Sequence, residues 1–412
     1  MKPKFSYNDI MAAGVVLYII LLVFWEFVPT IPFIGIKLSG ILKIFLFLCL
    51  IFLLLTRKKK LALKLNQNIV IGGLFVMSVL SLVTVGNISF AMHGIMMFLN
   101  ILFVYFLIIH FIDKEKYIKW VLIALVFLAV VHSFFIFFSC YSGIGISVSS
   151  NCSTFRPELL TNANFAAAML NSVIPICFYL MKSTKSRINK TALLIALFFI
   201  STAILMTFSR SGMLAMGFVL ATLLLIHFPK KIKAVKNSPY FILIVLLLVF
   251  IPVFFISNVA HNGNIMSGQC KRPYFHDYYE ERVQILDSGI NMVGGNFFLG
   301  VGINNFRASI NDYNGEYVGN IWKVEDRHSH NTYLDFLSEL GIFGFLLFVI
   351  LAYMTIHTFY RSKSYFSGAL LISFMSILIS CLFLGIGMNY LLWIPVGLAV
   401  ALEKIQSKKK LK

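Results

Sequence analysis

Twelve apolar runs, each long enough to cross a bilayer, decide what this chain can fold into. They lie near residues 10–29, 36–56, 68–85, 90–112, 117–139, 161–181, 191–208, 211–228, 239–257, 333–357, 365–386 and 389–403. A helix needs about 20 apolar residues to span the hydrocarbon core. Backbone groups there must be satisfied within the segment, so helices are the expected form. Composition agrees: 59% of residues are hydrophobic and 12% charged, against roughly 45–50% and 25% in soluble domains. Such a surplus cannot be hidden in one soluble core. Residues Met1–Asp9 lead directly into an apolar run and lack a small-residue cleavage site, so the start reads as a first span rather than a cleaved signal. The expectation is an all-α polytopic membrane protein with about twelve transmembrane helices and one large helical loop.

A net charge of +19 would suggest nucleic acid if the cations formed a patch. Instead 25 of the 35 Lys and Arg residues cluster at the N-terminus, after alternate runs and at the C-terminal tail. Examples are Arg57–Lys60, Lys114–Lys119, Lys182–Lys190, Lys230–Lys236 and Lys408–Lys412. The positive-inside rule then puts both termini in the cytoplasm and the 258–329 loop on the extracytoplasmic face. The organisation is residues 1–257 with spans one to nine, 258–329 as the loop, and 330–412 with spans ten to twelve and a basic tail. Val283–Ile290 has helical periodicity, so helices are expected inside the loop. Cys49, Cys177 and Cys381 fall in apolar runs and read as small hydrophobes. Cys140, Cys152 and Cys270 fall in or beside outer loops, where one disulfide could form.

Four outer stretches carry polar chemistry. Thr207–Gly212 places Arg210 at the outer end of two spans, and Glu280-Glu281-Arg282 opens the loop helix. Asn296–Phe306 is rich in Gly and Asn. His330-Asn331 precedes a span that contains Gly341 and Gly344. Each has a bland alternative. Arginines at span ends snorkel to headgroups, although an ionisable residue at the membrane is by default a functional candidate. The same holds for Lys43 inside the second run, where no motif suggests a role. Arg282 alone reads as a solvated helix residue. Ser329 can cap a helix beginning near His330, and backbone N–H groups at such an end favour anions. The pair His328 and His330 is weak as a metal motif without carboxylates in register.

Taken together, His330-Asn331…Gly341…Gly344, Phe208-Ser209-Arg210-Ser211-Gly212 and Phe298-Leu299-Gly300-Val301-Gly302 resemble the O-antigen ligase/polymerase superfamily. Leu160–Ala166 resembles that family's Asn-rich start of a span, with Ala163 where a Pro is usual. The resemblance covers about residues 155–390. It implies a GT-C-like fold and a metal-independent inverting glycosyltransferase with no cofactor. The implied donor is an undecaprenyl-pyrophosphate-linked glycan, and the ligase branch transfers it to a sugar hydroxyl of lipid A–core in the bacterial inner membrane, completing lipopolysaccharide. The family's essential residues map onto Arg210, Arg282 and His330, with Arg272 and Arg307 as alternatives to Arg282. Asn331, Asn164 and Arg156 join the two arginines as substrate-binding candidates.

The residue types suit that chemistry. Cleaving a sugar–pyrophosphate bond leaves an anion, and Arg offers a permanent, planar, bidentate partner for phosphate. An imidazole with an unperturbed pKa of about 6.5 suits a general base near neutral pH. The O-antigen polymerase shares the donor chemistry and differs in acceptor; the compact size, the single large loop and the His330 motif favour the ligase. A protein O-oligosaccharyltransferase often carries additional soluble sequence. A lipid-linked oligosaccharide flippase or other transporter would show broken or ionisable spans at mid-membrane and paired repeats.

Overall fold

The computed structural model describes residues 6–23, 38–56, 66–142, 146–147, 156–157, 162–227, 275–313 and 328–410. The expected run at 239–257 lies outside them, as do Cys152, Cys270 and the side chain of Cys140. Every other apolar run has a helix in order: α1 (Tyr7–Val23), α2 (Leu38–Leu55), α3 (Asn66–Leu80), α4 (Ile88–Phe111), α5 (Glu115–Ser142), α6 (Ala163–Ser183), α7 (Arg187–Met206) and α8 (Arg210–His227). Two helices, α9 (Phe275–Gly295) and the single turn α10 (Phe306–Ser309), belong to the loop. Then come α11 (Thr332–Arg361), α12 (Ser367–Ser380) and α13 (Tyr390–Lys410). Among the described residues the only strands are β1 (Ile146–Ser147) and β2 (Arg156–Pro157), a two-residue antiparallel pair. Six of the described helices are long and apolar enough to cross a membrane, and four more are shorter apolar helices. Broad apolar flanks stay uncovered, including Phe52, Ile69, Ile195, Phe198 and Tyr353. A bilayer, not water, is a suitable solvent for such surfaces.

The described chain forms two compact units. One comprises Met1–Ala124, Tyr278–Ser367 and Cys381–Lys412; the other comprises Leu125–Asp277 and Gly368–Ser380. In the first, α1 packs on α2 and α4, α3 on α11, and α13 on both α4 and α11. Polar ties fasten one end of this bundle. Asp9 binds Lys116 and accepts from the Tyr117 hydroxyl at 2.8 Å. Lys404 donates to the Ile109 carbonyl at 3.0 Å, and the Gln406 amide donates to Ser362 Oγ at 2.6 Å. These residues sit at the starts of α1 and α5 and the ends of α4, α11 and α13, among the basic clusters.

The opposite end is held by the loop. In α11 the backbone breaks at Gly341 (φ 67°, ψ −172°). An unbroken helix would pair the Ile342 N–H with the Ser338 carbonyl. Here Ile342 N–H donates to Phe297 O at 2.8 Å, while Ser338 O accepts from Val301 N–H at 2.8 Å. Glu339 O likewise accepts from Gly302 N–H at 3.1 Å. The Gly300 and Gly341 motifs are therefore two halves of one backbone exchange. Both glycines have φ near +70°, and a Cβ on either would collide with the other segment's backbone. Side chains fasten the same stretch to the α3–α4 corner: Thr84 Oγ1 donates to Gly300 O at 2.6 Å, and Asn304 Nδ2 to Phe90 O at 2.9 Å. Ser81 Oγ accepts from Ile303 N–H at 3.0 Å, and Asn305 Oδ1 from Asn87 N–H at 2.9 Å. The Asn296–Phe306 stretch is thus a latch whose polar atoms are spent on anchorage.

The helix expected from Val283–Ile290 is present as α9. Its Ile285 and Met292 share a buried cluster with Val301, Phe306, Ile310 and Leu334. The second unit is built on α6, which packs against α7 and α8, with Phe137 of α5 stacked on Phe199 of α7 at 4.6 Å. Substituting Gly341→Ala or Gly300→Ala should destabilise the purified protein by about 3 kcal/mol or more, because left-handed strain and a backbone collision add. Gly294→Ala, at an α9 position with nothing within 4 Å, should leave stability unchanged or slightly raised. Thermal melts in detergent separate the two outcomes.

Candidate functional site

The start of α11 is the most heavily tied point in the first unit. Asn331 is the N-cap, its Oδ1 accepting from Tyr333 N–H at 3.0 Å and Leu334 N–H at 3.1 Å. The sequence pointed to Ser329 as the cap, and the structure corrects this. Ser329 Oγ instead donates to the Asp335 carboxylate, lies 3.0 Å from Asn331 O, and accepts from Asn331 N–H at 2.9 Å. Thr332 is bound to the turn after α12: its N–H donates to Cys381 O at 2.8 Å, and its Oγ1 to Leu384 O at 2.5 Å. Ile386 N–H returns a bond to Thr332 Oγ1 at 2.9 Å.

Between these fixed points His330 is half-buried with φ 52°. A non-glycine residue in the left-handed region is strained and persists only where its neighbours over-determine it. Ser329, bound to Asp335, and Asn331, locked as a cap, supply that constraint. Arg282 lies in the same unit, exposed on α9. Its spacing from Ile285, Gly289 and Met292 puts it on the stripe whose cluster includes Leu334 of α11.

Arg210, Asn164 and Arg156 belong to the second unit. Arg210 opens α8 and is exposed. It follows a turn in which Phe208 has φ 51° and Ser209 is fully buried. Ser209 Oγ donates to Asn164 Oδ1 at 2.7 Å and accepts from Gly212 N–H at 3.1 Å. Asn171 Nδ2 donates to Gly212 O at 2.7 Å. Asn164 therefore anchors the arginine-bearing turn from the first turn of α6. Arg156 contributes its backbone to the β1–β2 pair, opposite Ser147.

Sequence reasoning missed a pair of carboxylates. Asp335 and Glu339 lie one turn apart on α11 and line a cavity of about 140 Å³ together with Arg307, His328, Asn304 and Asn389. Glu339 accepts from Asn304 N–H at 2.8 Å and Phe306 N–H at 3.1 Å. The signal was available: two acids at i and i+4 in an otherwise apolar run, directly after His330-Asn331.

Because Asn331 works as a cap, Asn331→Ala should cost about 1 kcal/mol of stability. Asn331→Asp or Asn331→Ser should recover most of it in thermal melts. Loss persisting in all three variants would contradict the capping role.

No curated protein sequence matches the chain. Residues 195–349 match the family model described as O-antigen ligase. This is a narrower region than the resemblance suggested. It contains Arg210, Arg282, His330, Asn331, Asp335 and Glu339, and leaves out Arg156 and Asn164. Through this segment the chain matches the O-antigen ligase/polymerase superfamily.

Proposed function

We propose that the protein is an O-antigen ligase, transferring a glycan from undecaprenyl pyrophosphate to a sugar hydroxyl of lipid A–core on the periplasmic face of the inner membrane. The observation that carries this reading is the strained, fully braced position of His330 inside the family-matched segment. Arg282 stands in the same unit, and Arg210 is presented by a buried turn in the other. The topology follows from charge. The tied end of the first unit holds Asp9, Lys116, Lys404 and Lys408, so the positive-inside rule assigns it to the cytoplasm. Helices α4 and α11 carry the chain from there to the latch and His330 at the opposite end.

In the reaction the acceptor hydroxyl oxygen attacks the anomeric carbon from the face opposite the leaving group, inverting it. His330 takes the hydroxyl proton as the new carbon–oxygen bond forms. The bond from the anomeric carbon to the pyrophosphate oxygen breaks, and that oxygen keeps the electron pair. Arg210 and Arg282 neutralise the departing lipid pyrophosphate, a transition-state role for which preorganised cations are suited. This assignment needs no metal ion.

Removing the gene should leave long polymer on the lipid carrier and none on lipid A–core, seen on a lipopolysaccharide gel. Lipid A–core capped with a single repeat would instead identify a polymerase, and unchanged capped lipopolysaccharide would exclude both. In the purified protein, His330→Gln should lower transfer by about 10²-fold or more. Arg210→Lys and Arg282→Lys should also lose activity, since Lys cannot reproduce a bidentate contact. Undiminished transfer by His330→Gln would overturn the base assignment.

A further inference from the structure

We propose that the cavity beneath the start of α11 is a binding subsite for the hydroxyl groups of a single sugar residue. The transferase reading is used only to name that sugar as the acceptor. At about 140 Å³ the cavity far exceeds the ~10–15 Å³ that admits one water. It is smaller than the roughly 300–1,000 Å³ of sites for drug-sized ligands. One ring fits the intermediate scale.

Its walls divide the work. Glu339 has both carboxylate oxygens engaged by the backbone N–H groups of Asn304 and Phe306, so it shapes the wall. Asp335 is different: Oδ1 accepts from Ser329, while Oδ2 lies against Gly385, where a Cβ would come within 2.7 Å. That oxygen is an acceptor for ligand hydroxyls. Asn389 Oδ1 is taken by Leu391 N–H at 2.9 Å, which turns the donor end of its amide to other partners. His328 and Arg307 add ring and guanidinium nitrogens, the latter held over the Phe90 ring at 4.5 Å. Phe336, stacked on Phe348 at 4.3 Å, supplies an apolar wall for the C–H face of a ring.

The lining sets two acids, Asp335 and Glu339, beside Arg307 and lacks the cluster of cations that would hold a pyrophosphate, whereas its hydrogen-bonding groups suit neutral hydroxyls. Ser329 ties this cavity to His330, because the hydroxyl that binds Asp335 also braces the backbone beside His330.

The test uses the full-length protein in lipid nanodiscs with three labelled probes: deacylated core oligosaccharide, the released repeat-unit glycan, and undecaprenyl pyrophosphate. The wild type should bind one of the two glycans. Asp335→Asn, Gly385→Ala and His328→Ala should each weaken that binding at least tenfold and leave undecaprenyl pyrophosphate binding within twofold. Core oligosaccharide as the bound glycan marks a ligase acceptor, and the repeat unit marks a polymerase acceptor; either supports the subsite. Neither glycan binding, or unchanged glycan binding in the variants, overturns it, as does equal loss of glycan and lipid pyrophosphate. If Asp335→Asn does not fold, as judged by its melt, the exposed His328 variant decides. A wild type that binds glycan through Asp335 but never transfers would sink the transferase reading and leave the subsite standing.

Discussion

The backbone exchange at Gly341 is the constraint on which the first unit depends. A break in a helix at the edge of a membrane frees carbonyl and N–H groups that the bilayer cannot satisfy. Here the freed groups of Ser338, Glu339 and Ile342 find partners on Phe297, Val301 and Gly302. The break and the latch therefore require each other. Once the latch is docked, Val301 and Phe306 present the apolar surface on which Ile285 and Met292 of α9 pack. The placement of Arg282 is a consequence of a hydrogen-bond requirement one helix away.

The same logic explains why the N-terminal turns of α11 are polar in a chain so apolar. Between Thr332 and the break, Thr332, Ser338 and Glu339 each meet fixed backbone groups. Thr332 holds the 381–386 turn, Ser338 bonds back to Leu334 O, and Glu339 caps the start of α10. These ties leave His330 as a residue whose conformation is dictated from both sides. A strained backbone of this kind costs of order 1–3 kcal/mol and is retained at positions where geometry matters more than stability.

Much of the fold was legible because hydropathy and charge act over whole segments. The order of the apolar runs and the helix at Val283–Ile290 could be read from spacing, and Gly341 stood out through the motif that carries the family resemblance. What could not be read was pairing. Nothing in Phe298–Gly302 announces that its N–H groups complete a helix more than thirty residues later, since backbone partners have no sequence signature. Similarly, Asn164 looked like a substrate ligand beside Arg156, yet its carbonyl oxygen is taken by Ser209. An Asn in a polar cluster reads the same whether it binds a ligand or a neighbouring turn.

Asp335 and Glu339 show how closely alike residues divide by environment. They lie one turn apart on one helix, and both face the cavity. Two N–H donors from the latch occupy Glu339, so removing it would release Asn304 and α10 together. Asp335 accepts from the Ser329 hydroxyl, and its second oxygen lies against Gly385, where a Cβ would come within 2.7 Å. A carboxylate used only to hold the fold gains from saturating both oxygens, because each unmet acceptor in a buried setting costs about 1–3 kcal/mol. The glycine at position 385 preserves the opposite arrangement. That makes Asp335, not Glu339, the acid whose chemistry is directed outward from the scaffold.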